Sequence, residues 1–454
     1  MKFQIFFYFN STPLRISLDK GNNDIANILL NRKEIQITEG YFFGSHLNMI
    51  EIPKRLTKIA KAHSMASIGA FAFRECKSLE KVIIPPNLRK IDYQAFFGCI
   101  SLTEVLLSCE NQNDNGNLIE EANSTNSSDF SLELAILPEK ADDENEEEKV
   151  EIKKDENSNV QLGIIGGYAF KECISLTRIE LPSSITMIGE NSFLSCLNLE
   201  HILLPQKLTK ICMNTFVNCK SLTEIKLPPT VTEIESNAFK GCRQLKLIEM
   251  PESVATIGEG AFYDCSSLKQ ITIPSSVKEI KSYTFYECSS LETINIHSYL
   301  LSIGEYAFNG CYSLKKFSFP DVLTSIEAFS FFQCSSLEEF ILPKFVTCIK
   351  KCAFASCASL EKLSIPISVK VIEDSAFHEP VSLEKLEIIS NTISIGKLAF
   401  AECSSLKEIQ IQAEELEIGS NAFYKCYSLV KLTIPAAQQI DNLGIRNNVH
   451  VIYK

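Results

Sequence analysis

The stretch Ile257-Gly258-Glu259-Gly260-Ala261-Phe262-Tyr263-Asp264-Cys265-Ser266-Ser267-Leu268, continued by Ile271, Ile273, Pro274 and Val277, decides the fold, because Ile280 begins the same phrase again. Anchored on its phenylalanine, the phrase recurs at Phe73 and Phe96, then at Phe170, Phe193, Phe216, Phe239, Phe262, Phe285, Phe308, Phe331, Phe354, Phe377, Phe400 and Phe423. Phe170 to Phe423 is 253 residues, eleven steps of 23 without slippage, and the two earlier copies make fourteen repeats. A degenerate copy begins at Tyr41, with Leu47, Ile50, Ile52, Pro53, Leu56 and Ile59 at the matching offsets. A fixed period of this size marks a repeat architecture.

Each repeat has a physical reading. Leu268-x-x-Ile271-x-Ile273 alternates apolar and polar residues, so it is a short strand with one buried face. Proline then ends the strand, since it has no N–H for the ladder; ten of the fourteen repeats carry it. Val277-x-x-Ile280 turns the chain back to the core as a second extended segment, and Phe262 and Cys265, three apart, share one side of a helical or 3-10 turn. One repeat cannot bury such an edge alone, whereas stacked copies form a continuous core. The expected fold is a repeat solenoid: a superhelix with a parallel sheet, short second strands and helical or 3-10 turns.

The pattern Leu-x-x-Ile-x-Leu-Pro-x-x-Leu-x-x-Ile-Gly-x-x-Ala-Phe-x-x-Cys-x-x-Leu, most of which stands in one run from Leu176 to Gly189, resembles the BspA-like (Treponema-type) leucine-rich repeat. The resemblance covers residues 41–108 and 161–440. It implies a leucine-rich-repeat superhelix and a place among bacterial and protist proteins, many of them surface antigens or adhesins. It implies no catalytic residue. Pro380 replaces the cysteine of the pattern, and His297, Ile389 and Gln412 replace the strand-ending proline, so the repeats near 377–412 are expected to be less regular.

The 454 residues are 45% hydrophobic and 22% charged, with 29 Phe, 17 Cys and no Trp. The net charge of −12 argues against an electrostatic grip on nucleic acid or anionic lipid. No apolar run reaches the roughly 20 residues that cross a bilayer, and the apolar start from Met1 to Asn10 is too short for a signal peptide. Phe96 to Phe170 is 74 residues, one period of 23 plus 51. The excess, 109–160, holds 16 Asp and Glu against 4 Lys, which equals the net charge of the whole chain and leaves the repeats near neutral. Such a stretch is expected to be largely disordered, a loop bulging from one coil; Ser131 to Pro138 inside it reads as a worn repeat strand. The domain reading is therefore an N-terminal cap at 1–40, repeats at 41–108, the acidic insertion at 109–160, repeats at 161–440 and a C-terminal cap at 441–454. In the last of these, Val449 to Ile452 offers a closing strand.

Thirteen of the seventeen cysteines fall three residues after the repeat phenylalanine, which reads as packing and not as disulfide or metal chemistry. Cys348, Cys352 and Cys357 lack a fourth ligand nearby, and the Ser-x-x-Lys strings at Ser266 and Ser404 come from the repeat itself. No dinucleotide or phosphate-loop spacing occurs. Neither an enzyme nor a cofactor is expected. What remains is the sheet surface, where the x positions stack into columns: Arg178, Glu180, His201, Glu224, Lys226, Glu249, Lys269, Thr272, Asn295, Lys315, Lys316, Glu338, Glu339, Lys362 and Lys385. Opposite charges on neighbouring coils can satisfy one another, or the columns can form a broad protein-binding face. The expected function is non-catalytic protein–protein interaction by an antigen or adhesin at the cell surface; the alternative is an intracellular scaffold or regulatory subunit. Free buried thiols favour a cytoplasmic location as much as the resemblance favours the surface. Partner identity and oligomeric state are not encoded in any motif.

Overall fold

The computed structural model describes residues 3–9, 12–18, 49–51, 67–84, 88–107, 163–435 and 442–453. The acidic insertion, the worn strand at Ser131 to Pro138 and most of residues 1–66 lie outside this set. Most coils of the solenoid place one short strand on a first parallel face and another on a second, each face being a succession of short parallel sheets. The first runs through Lys81–Ile84, Glu104–Leu107, Arg178–Ile179 and onward to Lys431–Ile434. The second runs from Ser67–Ile68 through Gly163–Ile165 to Glu415–Ile418. Neighbouring strands pair at the repeat distance, so Glu224 faces Leu247 and Lys362 faces Lys385. Met49–Glu51 pairs in parallel with Lys81–Ile84, where the degenerate copy places Ile50. At the other end His450–Tyr453 pairs with Lys431–Ile434, the closing strand that the sequence offers. Phe3–Phe9 and Thr12–Leu18 form an antiparallel hairpin in a sheet of their own.

Fourteen phenylalanines stack down the core. Consecutive rings lie between 5.0 and 6.0 Å apart, and none tilts by more than 18° from its neighbour. Offset stacking adds about 0.5–1.5 kcal/mol per pair beyond area burial. Phe96 stacks directly on Phe170, at 5.1 Å and 5°, so no further coil stands between them and residues 108–162 interrupt a single coil.

The turn that carries the phenylalanine is a run of i→i+3 bonds rather than a continuous helix, as in Lys240 N–H to Asn237 O and Cys242 N–H to Phe239 O. Helical continuation is blocked because the residues two before and two after each phenylalanine have left-handed φ, for example +54° at Asn237 and +74° at Gly241. That conformation points alternate N–H groups along the solenoid axis. Asn237, Phe239 and Gly241 donate to Glu259, Ala261 and Tyr263 of the next coil at 2.7–2.9 Å. The turns are thus a third inter-coil ladder, and buried backbone groups are paired without a strand. Across all fourteen coils these two columns contain no Val, Ile, Thr or Pro, the residues for which positive φ is most costly. Asn237→Val should therefore lose about 2 kcal/mol and Asn237→Gly almost nothing, as read by urea unfolding.

The thirteen ladder cysteines are buried free thiols. Most donate their S–H to the phenylalanine carbonyl of the preceding coil, as Cys265 does to Phe239 at 3.2 Å and Cys288 to Phe262 at 3.1 Å. Next to Pro380, which breaks the column, Cys403 donates chiefly to its own Phe400 O, at 2.9 Å, and lies 3.9 Å from Phe377 O of the preceding coil.

The expected irregularity near 377–412 is not what the coils show. Lys385–Ile389 and Glu408–Gln412, five residues each, are the longest strands of the solenoid among the described residues. Without the proline turn these strands run on, Ile389 pairing with Gln412 and Ser390 N–H reaching Gln412 O at 2.9 Å, whereas at His297, which also lacks proline, the strand Thr293–Asn295 stays three residues long.

Candidate protein-binding face

Along the first sheet the strands read exposed–buried–exposed, as in Glu224–Lys226, Leu247–Glu249 and Gln270–Thr272. The apolar residue enters the core and its neighbours point away. Of the fifteen residues singled out above, Glu180 is half-buried and the other fourteen are exposed.

The structure joins several of them across coils. Lys226 meets Glu249 at 2.9 Å, Lys316 meets Glu339 at 3.2 Å, and Asn295 Nδ2 donates to Thr272 Oγ1 at 3.1 Å. Arg178 pairs within its own coil with Glu180 at 2.6 Å, and Glu180 also accepts the Leu107 N–H. Lys81–Glu104, Lys407–Glu384 and Lys431–Glu408 extend the pattern to residues outside the fifteen. The Glu249 carboxylate raises the pKa of Lys226, and Lys431 lowers that of Glu408. Such exposed pairs contribute about 0–1 kcal/mol each, so they order the surface more than they stabilise it.

Along the column Lys316, Glu339, Lys362, Lys385, Glu408 and Lys431 the alternation of sign breaks once; like charges also stand one period apart at Lys246 and Lys269 and at Glu338, Glu361 and Glu384. Lys362 and Lys385 stand directly opposite each other in register. Among the described residues neither makes an ion pair. Like charges in register are destabilising. The break coincides with a cleft of about 1360 Å³ on the same face, lined by residues from Lys316 to Ser405. Its floor is aromatic: Phe317 and Phe340 take the strand position held by Ile271 and Ile294 elsewhere, and Phe319 takes that of Ile273. These rings pack edge-on, Phe317 to Phe331 at 4.7 Å and Phe319 to Phe340 at 5.7 Å. Their bulk accompanies a gap in the ladder, where Lys316 and Glu339 share only an isolated bridge. Ile341, 86% exposed, stands at the mouth. Sequence reasoning placed Ile341 in an exposed column with Glu338 and Glu339 but passed over Phe319 and Phe340, because the pattern required only an apolar residue at those positions. Substitution of Phe for Ile on three neighbouring strand positions was the signal present. A smaller cleft of about 640 Å³ lies over Arg178, Glu180 and His201.

Among the described residues no group of three or more His, Cys, Asp or Glu is placed to hold a metal, and no helix is long and apolar enough to cross a membrane. The coils, the parallel sheets and the stacked core define a leucine-rich-repeat solenoid. A family model described as BspA type leucine rich repeat region matches residues 61–157, 147–269, 256–380 and 324–448, and the chain belongs to that family. Among solved structures it is similar to a leucine-rich repeat protein from Bacteroides ovatus, with 26% identity over 92% of this chain and 87% of that one and a TM-score of 0.64. A leucine rich cell surface protein from Faecalibacterium prausnitzii is 22% identical over 91% of this chain and 94% of that one, with a TM-score of 0.45. No curated protein sequence matches the chain significantly.

Proposed function

We propose that the chain is a non-catalytic binding protein of a cell surface, and that it holds a protein partner on the first sheet, centred on the cleft between Lys316 and Lys385. The observation that carries this reading is the coincidence of three departures from the repeat at one place: the in-register Lys362 and Lys385, the aromatic floor and the exposed Ile341. A fold that only needed to be soluble would continue the alternation of Lys and Glu seen on its neighbours. An aromatic-floored recess with charges at its rim is the usual form of a binding hot spot. The remaining exposed columns, from Arg178 to Glu339, would supply many weak contacts around it.

Lys362→Glu tests binding apart from folding. It exchanges an opposite-charge neighbour at Glu339 for one at Lys385, so stability read by urea unfolding should stay within about 0.5 kcal/mol of the wild type. The same variant, combined with Ile341→Asp, should abolish capture of the partner that the wild-type chain retrieves from surface-biotinylated cells. Undiminished capture would place the binding face elsewhere. Failure of the chain itself to label on intact cells would remove the surface location and leave the intracellular scaffold.

A further inference from the structure

At the edge of the solenoid the first strands that end in proline run into a tight turn closed by an i→i+3 bond, such as Val254 N–H to Pro251 O, Leu323 N–H to Pro320 O and Val346 N–H to Pro343 O, whereas in the coil of His297 the Tyr299 N–H donates to His297 Nδ1. The residue two after the proline sits at the tip. On five coils that position is polar: Ser184, Lys207, Thr230, Ser253 and Ser276, and it is polar again at Ser368. The hydroxyls do structural work there: Ser253 Oγ donates to Val231 O at 2.7 Å, and Thr230 Oγ1 donates to Leu208 O, both on the preceding coil. On three consecutive coils the position instead holds Tyr299, Val322 and Phe345. These side chains forgo the bond and gain no burial in exchange. Tyr299 and Phe345, with the adjoining Leu301 and Ile367, are each between 60% and 66% exposed. The 23-residue register lines up Tyr299, Val322 and Phe345 as a ridge; Leu301 and Ile367 stand in the adjoining columns of Lys278 and Lys344, and the Leu301 N–H donates to Lys278 O at 2.7 Å.

The charges on the five turns at 274–278, 297–301, 320–324, 343–347 and 366–370 differ from those of the whole chain. Lys278, Lys344 and Lys370 stand against Asp321 alone, in a chain of net charge −12. Lys344 pairs with Asp321 at 2.9 Å, and the Lys278 ammonium lies 5.4 Å from the Tyr299 ring. We propose that this ridge is a lipid-contacting edge: the apolar tips enter the interfacial layer of a bilayer while the lysines meet lipid phosphates. Aromatic and aliphatic side chains flanked by Lys suit that boundary, where the stem of Lys lies along apolar material and its head stays wet. A projecting row of tips needs no matching hollow in a lipid surface. A second copy docked ridge to ridge about a two-fold axis would instead set lysine row against lysine row. The ridge borders the cleft and shares Asp321 and Lys344 with its rim, but none of the apolar tips lines the cleft, so the inference does not rest on the proposed function.

The natural absence of tryptophan makes the test clean. Phe345→Trp in the full chain gives a single reporter at the ridge. With phosphatidylcholine vesicles its emission should shift to the blue and be quenched by brominated acyl chains. Replacing Tyr299, Leu301, Val322 and Ile367 by Ser in the same background should weaken co-sedimentation with the vesicles by at least about tenfold, with an unchanged circular dichroism spectrum. Serine is already accommodated at tip positions on other coils, so the fold should tolerate it. Unshifted emission at saturating lipid overturns the proposal. So does a blue shift that depends on protein concentration without lipid, which would assign the ridge to a second copy. Adsorption seen only with phosphatidylserine and unaffected by the serine variant would also overturn it.

Discussion

Between about pH 9 and pH 12 the solenoid should lose its fold cooperatively, and the cysteine column is the reason. Burial pushes the thiols of Cys99, Cys173, Cys196, Cys219, Cys242, Cys265, Cys288, Cys311, Cys334, Cys357 and Cys403 up, that of Cys357 to about 12. An unfolded thiol titrates near about 8.5. Above that value the unfolded chain sheds protons that the native coils retain, so stability is complete below it and falls as pH rises. Each thiol contributes a slope of up to about 1.4 kcal/mol per pH unit, and eleven acting together reach about 15 kcal/mol per pH unit. Thermal melts followed by circular dichroism across this range should show a steep fall in midpoint. Replacing Cys242, Cys265, Cys288 and Cys311 by Ala should lower stability at neutral pH yet flatten the alkaline loss. A midpoint that holds to pH 11 would mean that the thiols are solvated in the native state.

Phe262→Ala should be the most damaging single truncation in the middle of the stack. Phe262 is fully buried and its ring lies against both Phe239, at 5.6 Å, and Phe285, at 5.5 Å. Loss of the side chain leaves a cavity that the coils cannot close without breaking their inter-coil backbone bonds, so about 3–5 kcal/mol is expected. In a nearest-neighbour array that loss falls on two interfaces, so urea unfolding should split into two transitions, one for each side of the weakened coil. Phe423→Ala, next to the last coil and spaced 6.0 Å from Phe400, should cost less and leave one transition. Equal costs at the two positions would show that the stack does not behave as a chain of neighbours.

The register of the fold was legible because each repeat supplies the same constraints again. The position of Ile271 in the strand, the return at Ile280 and the alignment of Phe262 with Phe285 all followed from spacing alone, and the structure places them in one core. The absence of β-branched residues two before and two after each phenylalanine was also present in the sequence, but it acquires meaning only once those positions have left-handed φ. Regularity near Ile389 and Gln412 ran opposite to expectation: a missing proline was read as a lost boundary, while in the structure the two strands continue in register to Ile389 and Gln412.

The face was less legible than the core. Sequence spacing placed Lys362 and Lys385 in one column, but whether a lysine has a carboxylate beside it depends on side-chain paths across coils. Lys316 reaches Glu339, whereas Lys385, next in register to Glu408, finds that carboxylate held by Lys431 at 2.6 Å. The cleft was invisible for a related reason, since each Phe317-type exchange is conservative by itself and the recess appears only where the rings pack edge-on across coils.

By itself the sequence determined the solenoid, its period, its buried columns and the neutrality of its repeats, because those depend on local pattern and on identical coils packing alike. Only the tertiary structure decided which surface charges are satisfied, where the first sheet opens into a recess and which turn tips form an apolar ridge. Those depend on how residues 23 apart fill the space between coils, and that space is a property of the stack rather than of any one repeat.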